Sequence, residues 1–192
     1  MAMSRDQTQL HWFDPKRRGV IPLQGFHISR SLVRRIRRNT YTIRTNSAFG
    51  AVVRACAARD ETWINEPLII LYSTLHEAGY AHSLEVWEND ELIGGVFGIA
   101  LGGAFFGESM FSRRVDGSKI ALAYLVDRLQ NAGFSLFDTQ YLTPHLARLG
   151  GIEVSRLAYH EALAEALGRK ADFNRPPVPA AQSLLQRMTQ TS

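Results

Sequence analysis

The sequence predicts an α+β domain in which a mixed, largely antiparallel sheet is flanked by helices. Apolar and alternating runs separated by turn residues cover residues 81–108, a pattern typical of an antiparallel meander. Amphipathic segments that begin at capping residues or end at glycine lie on both sides of this meander. The 192 residues suffice for one globular domain with its own core.

The first half of the chain is predicted to alternate short strands with helices. The expected elements are turns and a short strand over 12–23, a basic helix over 29–38, a strand over 41–45 and helices over 46–57 and 67–78. Asn46 is a favourable N-cap for the helix that ends at Ala57. Pro67 suits the first turn of the next helix, which Gly79 ends. We expect that helix to bury the face formed by Leu68, Leu71, Tyr72 and Leu75.

The second half continues from the meander into strand–helix units. The expected elements are strands over 82–87, 91–100 and 104–108, a helix over 118–132, a strand over 134–138, a helix capped by Thr143, a strand over 152–157 and a helix over 160–167. Prolines and small polar residues follow Asp172. We therefore expect a loose N-terminus over 1–11, one domain over 12–171 and a flexible C-terminal tail over 172–192.

Composition excludes several classes of protein. No apolar run approaches the ~20 residues that span a bilayer, and the first residues lack a signal-peptide core, so a cytoplasmic protein without membrane contact is expected. The single cysteine, Cys56, has no partner for an internal disulfide, which fits a reducing compartment. It lies on the apolar face of a predicted helix, without a basic neighbour, so it is predicted to be a buried structural thiol.

The basic helix concentrates positive charge on one face. Four of its arginines share that face at helical spacing: Arg30, Arg34, Arg37 and Arg38. A solvated surface is the ordinary interpretation of such a run. However, like charges at this spacing repel one another, and no acidic residue within the run compensates them. The pattern therefore favours an anionic partner such as phosphate, although the net charge of the chain is only +4.

Polar side chains follow two short apolar strands of the predicted sheet. Glu108 comes directly after residues 104–106, and Asp138 and Gln140 follow residues 134–137. A carboxylate in such surroundings is costly unless it is paired or hydrogen-bonded. One interpretation is structural, with Glu108 pairing with an arginine and Asp138 capping a turn. The other is a ligand site at strand ends, where open sheets place their reactive side chains.

An ordered series of motifs resembles the bacterial leucyl/phenylalanyl-tRNA–protein transferases. The series consists of Thr62-Trp63-Ile64, Ala81-His82-Ser83 with Glu85 and Trp87, Gly94-Gly95, Phe106-Gly107-Glu108-Ser109-Met110-Phe111-Ser112, Ser118-Lys119, Asp138-Thr139-Gln140 and Pro144-His145-Leu146. The resemblance extends from about Trp12 to about Phe173. It implies an acetyltransferase-like (GNAT-like) fold. It also implies transfer of Leu or Phe, with Met as a further donor, from aminoacyl-tRNA to the N-terminal Arg or Lys of proteins, which marks them for degradation.

The resemblance implies a role for each candidate site residue. Asp138 and Gln140 match catalytic positions. Glu108 is either the counter-charge of the basic acceptor or a hydrogen-bond partner of the donor amino acid. Phe105, Met110, Leu122 and Leu125 are candidates for the pocket that receives the Leu or Phe side chain, with plain core as the alternative. Trp63 and Tyr72 are candidates for stacking on the terminal adenine, and the arginine face of the basic helix would bind tRNA phosphates. A monomer without a cofactor or metal is expected.

The expected reaction is aminolysis of an already activated ester. A terminal amine has a pKa of roughly 7.7–8.0, so an appreciable minority is neutral at pH 7 and no strong base is required. We expect the carbonyl oxygen of Gln140 to accept a hydrogen bond from the amine. Asp138, two residues earlier along an extended chain, would point the same way and would orient and polarise the Gln140 amide.

Other functions have weaker support in the sequence. His76, His82, His145 and His160 lack metal-ligand spacing. The glycine-rich run 94–103 lies between strands and opens no helix, so it is a poor dinucleotide loop. The two alternatives are a non-catalytic module that binds RNA or protein N-termini and a coenzyme A-dependent N-acetyltransferase, for which 113–117 is only a loose match. Family members normally carry an N-terminal segment with a Gly-x-Phe-Pro-like stretch before the Trp12 region, and we expect its absence to affect donor affinity.

Overall fold

The computed structural model describes residues 2–6, 9–12, 14–59 and 62–190. Its helices and strands are β1 (Ala2–Asp6), β2 (Gln9–Trp12), β3 (Arg17–Val20), α1 (Arg30–Arg38), β4 (Thr42–Thr45), α2 (Phe49–Ala57), α3 (Glu66–Glu77), β5 (Ala81–Glu88), β6 (Glu91–Leu101), β7 (Ala104–Ser112), α4 (Gly117–Ala132), β8 (Leu136–Gln140), α5 (Pro144–Ala147), β9 (Ile152–Ser155), α6 (Arg156–Leu167) and α7 (Ala181–Gln190).

The main sheet has seven strands in the order β4-β5-β6-β7-β8-β3-β9. Its neighbours pair antiparallel except β7 and β8, which pair in parallel. Helix α4 connects β7 to β8, as a parallel pair requires. The predicted α+β class, a mixed and largely antiparallel sheet flanked by helices, is therefore confirmed.

Helices cover both faces of the sheet. On one face α4 buries its full length against the sheet, with Ile120, Leu125 and Leu129 completely inaccessible, and α1 and α7 pack beside it. On the other face α2 and α3 form a second core with Phe97 of β6 and Phe111 of β7. Consecutive residues of β6, such as Val96 and Phe97, belong to different cores because successive side chains of a strand point to opposite faces of the sheet.

The parallel pairing of β7 and β8 ends early. Its last paired residues are Phe106 and Asp138, whereas β7 continues to Ser112, beyond its predicted end at residue 108. On its other side, β7 carries a β-bulge against β6: Ser109 lies opposite Phe97 and Gly107 opposite Gly98. Glu108 is thus the unpaired residue of the bulge. Gly98 permits this close approach, since a Cβ there would lie 2.3 Å from the Phe106 carbonyl oxygen.

Two local predictions are wrong in detail. Asn46 does not cap α2, which starts after Ala48; it adopts a left-handed backbone with φ +57°, and its Oδ1 accepts the Ser83 N–H at 2.9 Å. In α3 the cap is Asn65, and Leu71 is 47% exposed while Ile69 is buried in its place. Asn46 is held by Ser83 of β5, and the buried face of α3 is the one that packs against α2 and β5.

The flexible tail predicted over 172–192 is also wrong for the part that the structure describes. Phe173 is 3% exposed and stacks on Phe105 and His82, at ring-centroid distances of 5.7 and 4.3 Å. Helix α7 then buries four apolar side chains in the core that it shares with α1 and α4, namely Ala181, Leu184, Leu185 and Met188. At the other end of the chain, β1 and β2 pair antiparallel where a loose segment was expected over 1–11. Residues 1, 7 and 8 of that segment lie outside the described residues, as do residues 191 and 192 of the tail.

Candidate active site

The end of the β7–β8 pairing brings Glu108 and Gln140 together. Nε2 of Gln140 donates a hydrogen bond to Oε2 of Glu108 at 3.2 Å, and the same oxygen accepts the Tyr72 hydroxyl at 3.0 Å. The β-bulge directs the Glu108 side chain toward this gap. The Gln140 backbone departs from strand geometry with φ +67°, so the regular alternation of side-chain direction along β8 ends here.

Asp138 is the buried anchor of this arrangement. Its carboxylate is inaccessible to solvent and pairs with Arg18 of β3, whose Nη2 lies 2.6 Å from Oδ2 and whose Nε lies 3.0 Å from Oδ1. The Tyr159 hydroxyl donates to Oδ2 at 2.8 Å, and the backbone N–H of Gln140 donates to Oδ1 at 2.7 Å. Burial, together with the neighbouring Asp138 charge, raises the pKa of Tyr159, so that hydroxyl remains a donor.

These contacts correct one detail of the predicted chemistry. Asp138 orients Gln140 through its backbone, whereas the side-chain amide of Gln140 is held by Glu108. With Nε2 committed to a carboxylate, the carbonyl oxygen Oε1 of Gln140 is the atom left to accept another hydrogen bond.

The electrostatics of Glu108 follow from its surroundings. Burial raises the pKa of its carboxyl above the ordinary range, and the nearby Asp138 carboxylate acts in the same direction. The hydrogen bonds from Tyr72 and Gln140 stabilise the charged form and oppose that shift. Burial, reinforced by the Glu108 charge, also raises the pKa of the Tyr72 hydroxyl. Tyr72 therefore serves as a fixed donor to Glu108.

A larger cavity of about 630 Å³ opens on one side of Glu108. Its apolar lining includes Met110 and Leu122, as predicted for the side-chain pocket, together with Phe137 and Leu146, and Trp63 lines it too. Two polar atoms among its lining residues, Oγ1 of Thr139 and Nε2 of His145, are buried without a hydrogen-bond partner in the described part of the chain. Burial, with Lys119 and Arg148 nearby, lowers the pKa of His145, which keeps the imidazole neutral near pH 7.

Two residues predicted for the side-chain pocket, Phe105 and Leu125, and one predicted to stack on adenine, Tyr72, lie elsewhere. Phe105 and Leu125 are at most 1% exposed and belong to the core beneath the sheet, packed among Phe134, Phe137 and α4 neighbours, so they do not line the cavity. Tyr72 is 5% exposed, and its ring lies in T-shaped contact with both Phe97 and Trp63. Its face is therefore not free for a base, and its contribution is the hydrogen bond to Glu108.

A smaller cavity of about 420 Å³ lies on the other side of Glu108. It is lined by Asp14, which precedes β3, and by residues of β3, β7, β8 and α6, including Phe106, Gln140, Tyr159 and Leu163. The two cavities have Glu108 as their shared lining residue. Glu108 therefore lies between the two cavities, at the place where β7 and β8 separate.

Sequence reasoning missed Arg18 and Tyr159, the two side-chain partners of Asp138. They are 120 and 21 residues from it in sequence and reach it through β3, which pairs with β8, and through α6. The one signal for Arg18 was its place within a short strand, where a buried cation requires an anionic partner.

The arginine face of α1 is exposed as predicted. Arg30, Arg34, Arg37 and Arg38 are solvent-exposed, and no acidic side chain within the described ranges pairs with any of them. The fifth arginine, Arg35, differs because it pairs with Glu88 at 3.0 Å. Leu32 and Ile36 are buried on the opposite side of the helix.

Other candidate chemistry finds no support in the described residues. No group of three or more His, Cys, Asp or Glu side chains there could hold a metal ion. Cys56 is buried, and burial raises the pKa of its thiol to about 12, which makes it a poor nucleophile. Over the same residues, no helix combines the length and the apolar character that a membrane span requires.

Two solved structures are distantly similar to this chain. The structure of L-PGS from Bacillus licheniformis matches 69% of this chain and 50% of its own, at 17% identity and a TM-score of 0.44. The structure of AAC(6')-Iy in complex with a bisubstrate analogue matches 71% of this chain and 95% of its own, at 15% identity and a TM-score of 0.39. Scores this low support no functional conclusion.

Comparisons with protein sequences are far more specific. The family model described as "Leucyl/phenylalanyl-tRNA protein transferase" matches residues 20–164. A protein of Ruegeria sp. (strain TM1040) named leucyl/phenylalanyl-tRNA–protein transferase is 62% identical over all of this chain and 91% of its own length. A protein of the same name from Cereibacter sphaeroides (strain ATCC 17025) is 61% identical over 100% of this chain and 90% of its own length. Another, from Paramagnetospirillum magneticum, is 54% identical over 91% of this chain and 86% of its own length. The chain therefore belongs to the leucyl/phenylalanyl-tRNA–protein transferase family.

Proposed function

We propose that this protein transfers Leu or Phe from aminoacyl-tRNA to the N-terminal Arg or Lys of a protein, at the gap between β7 and β8. The observation that carries the proposal is the Glu108–Gln140 pair where two cavities meet. A transfer between two bound substrates requires two binding cavities and a shared point of reaction. One chain supplies both cavities, which fits a monomeric enzyme.

The larger cavity suits the aminoacyl end of the donor. Its apolar lining fits a Leu or Phe side chain, whose burial is worth ~1.5–3 kcal/mol and does not separate Leu sharply from Met. The unpartnered atoms of Thr139 and His145 favour a ligand that carries hydrogen-bonding groups, because a buried polar atom without a partner costs about 1–3 kcal/mol. An aminoacyl ester combines both features, and Trp63 is suitably placed to stack on the terminal adenine.

The reaction we infer forms one bond and breaks another. The α-amine of the acceptor attacks the ester carbonyl carbon, the C–N bond forms, and the bond between that carbon and the ribose oxygen breaks. The amine loses a proton and the leaving ribose oxygen gains one. Oε1 of Gln140 accepts a hydrogen bond from the amine, while Glu108 holds the amide through Nε2.

Asp138 acts in this scheme as a positioning residue. Its buried pair with Arg18 and its bond to the Gln140 N–H fix the turn from which the Gln140 side chain projects. The Tyr72 hydroxyl and the Gln140 amide stabilise the charged form of Glu108, and a negative charge there favours an acceptor with a basic N-terminal residue. The arginine face of α1 would hold the tRNA backbone at a distance from the reacting atoms.

The coenzyme A-dependent alternative has less support. In that chemistry the start of α4 would bind a pyrophosphate through free backbone N–H groups. Here the Ser118 N–H already donates to Oγ of Ser112 at 3.1 Å, and Lys119 pairs with Asp116 at 2.7 Å. A helix start whose donors are already committed is a poor phosphate site.

The test is a transfer assay with the full chain. Leu-tRNA or Phe-tRNA is incubated with a peptide that begins with Arg, and mass spectrometry measures peptide extended by one residue. Matched reactions contain uncharged tRNA, acetyl-coenzyme A in place of the donor, or a chelator. We expect extension only with charged tRNA and no effect of the chelator. The Gln140→Ala variant should lose roughly 10²–10⁴-fold in turnover. Acetylation of the peptide, or tRNA binding without transfer, would overturn the proposal.

A further inference from the structure

The smaller cavity combines apolar walls with carboxylates at its edges. Phe106 and Leu163 form apolar walls, Glu108 lies where it meets the larger cavity, and Asp14 contributes a second carboxylate. Arg18 also lines it, but its charge is neutralised by the two-pronged pair with Asp138, and its guanidinium lies over the Tyr159 ring at 4.7 Å. The cavity therefore suits a ligand with an aliphatic stem and a cationic head.

We propose that this cavity receives the basic side chain of the acceptor's first residue and that Asp14 is its counter-charge, an inference that rests on the proposed function. If the donor fills the larger cavity, its ester carbonyl faces the Glu108–Gln140 gap. The attacking amine must then reach that carbonyl from the other side, where the smaller cavity begins. The first side chain of the acceptor leaves the same α-carbon as this amine and so enters the smaller cavity.

Asp14 is suited to exchange partners when such a cation enters. Its carboxylate now faces two side chains of α6, with Nε2 of His160 at 3.2 Å and Nε of Arg156 at 3.8 Å. All three side chains are 50–55% exposed, so these contacts are solvated and of low net energy. A guanidinium or ammonium held between Asp14 and the apolar walls would replace a weak contact with a better shielded one.

The sharpest test compares two peptides that differ only in charge at the first side chain. One peptide begins with Arg and the other with citrulline, its neutral near-isostere. For each, kcat/KM is measured with saturating Phe-tRNA in the parent protein and in Asp14→Asn. We expect the Arg-to-citrulline ratio of kcat/KM to fall by about fivefold in Asp14→Asn, as an exposed ion pair allows. The matched control is Asp90→Asn, which removes a similar exposed carboxylate from the β5–β6 turn, outside both cavities.

The outcomes separate this inference from the function on which it rests. Transfer by the parent protein with the same Arg-to-citrulline ratio in Asp14→Asn would overturn the acceptor cavity alone. An equal fall of that ratio in the Asp90→Asn control would also overturn it, because the effect would not belong to the cavity. Absence of transfer by the parent protein would overturn the proposed function and the acceptor cavity with it.

Discussion

At the scale of single residues, Asp138 shows how a carboxylate in an active site can be important without touching substrate. Its oxygens accept hydrogen bonds from the Arg18 guanidinium, the Tyr159 hydroxyl and the Gln140 backbone N–H. A carboxylate satisfied by so many donors has little capacity left to take a proton from an amine. Its effect on transfer is therefore expected to act through the position of Gln140.

This role predicts a specific pattern in a pair of variants. Asp138→Leu leaves the Arg18 guanidinium buried without a counter-charge, so the free energy of unfolding should fall by about 3–5 kcal/mol. The double variant Arg18→Met with Asp138→Leu removes both charges and should recover most of that loss. Turnover should stay low in both variants, because both lack the carboxylate that accepts the Gln140 N–H and holds that turn. Urea unfolding and the transfer assay check this, and normal turnover in the double variant would contradict it.

Glu108 connects function to stability through its raised pKa. Because the folded protein binds the Glu108 proton more tightly than the unfolded chain, the free energy of unfolding falls as pH rises through that pKa. The Glu108→Gln variant has no carboxyl to ionise at this position, so its free energy of unfolding does not fall in this way. The melting temperature of the variant relative to the parent should therefore be higher at about pH 8 than at about pH 4.5. The same variant should transfer more slowly to an Arg-initiated peptide. An equal difference in melting temperature at both pH values would show that the site does not destabilise the charged carboxyl.

His82 shows the opposite linkage at a buried histidine. Its ring stacks on Phe173, and burial lowers its pKa to about 4. Between about 6.5 and about 4 the unfolded chain binds this proton more readily than the folded protein, so stability falls with falling pH in that window. Glu108 and His82 therefore change the free energy of unfolding in opposite directions as the pH falls. Comparing a variant of one group with the parent protein across pH separates the two contributions.

At the scale of elements, the sequence predicted local structure well where one helix or strand carries its own signal. The helix α1, the meander and the helix predicted over 118–132 follow from periodicity and flanking turn residues alone. Asn46, Leu71 and the tail differ because their environment is set by other elements. The same holds for the site: Glu108, Asp138 and Gln140 stand out locally, but the bulge, Arg18 and Tyr159 depend on pairing between distant strands.

The exposed arginine face of α1 predicts a salt-dependent part of tRNA affinity. Each phosphate that is neutralised adds about 0.7–0.9 to the magnitude of the slope of log affinity against log salt. Arg34→Ala with Arg38→Ala should therefore flatten the slope by roughly one to two units, similarly for tRNAs of different sequence. The matched control, Arg44→Ala with Arg169→Ala, removes two exposed arginines that already pair with acids. Equal slopes in parent and test variant would show that this face is only solvated.

At the scale of the whole molecule, the C-terminal segment completes the core on which the site is built. The Arg128 guanidinium donates to the Phe173 carbonyl at 2.6 Å, and Phe173 packs on Phe105 beneath β7. Further along, Arg187 of α7 makes a two-pronged pair with the buried Asp127 of α4, at 2.5 and 2.9 Å. The segment therefore secures α4, which in turn contributes Leu122 to the larger cavity.

This arrangement predicts that α7 stabilises the domain and is not a dispensable extension. Leu184 is inaccessible to solvent in the core shared by α1, α4 and α7, so Leu184→Ala should lower the free energy of unfolding by about 2–5 kcal/mol. Gln186→Ala is the matched control, since Gln186 lies two residues away on the exposed side of the same helix and should change that free energy by less than about 0.5 kcal/mol. Urea unfolding of the three proteins measures both effects. If Leu184→Ala unfolded at the same urea concentration as Gln186→Ala, α7 would contribute nothing to the core, and the flexible tail predicted from the prolines and small polar residues would describe this segment better.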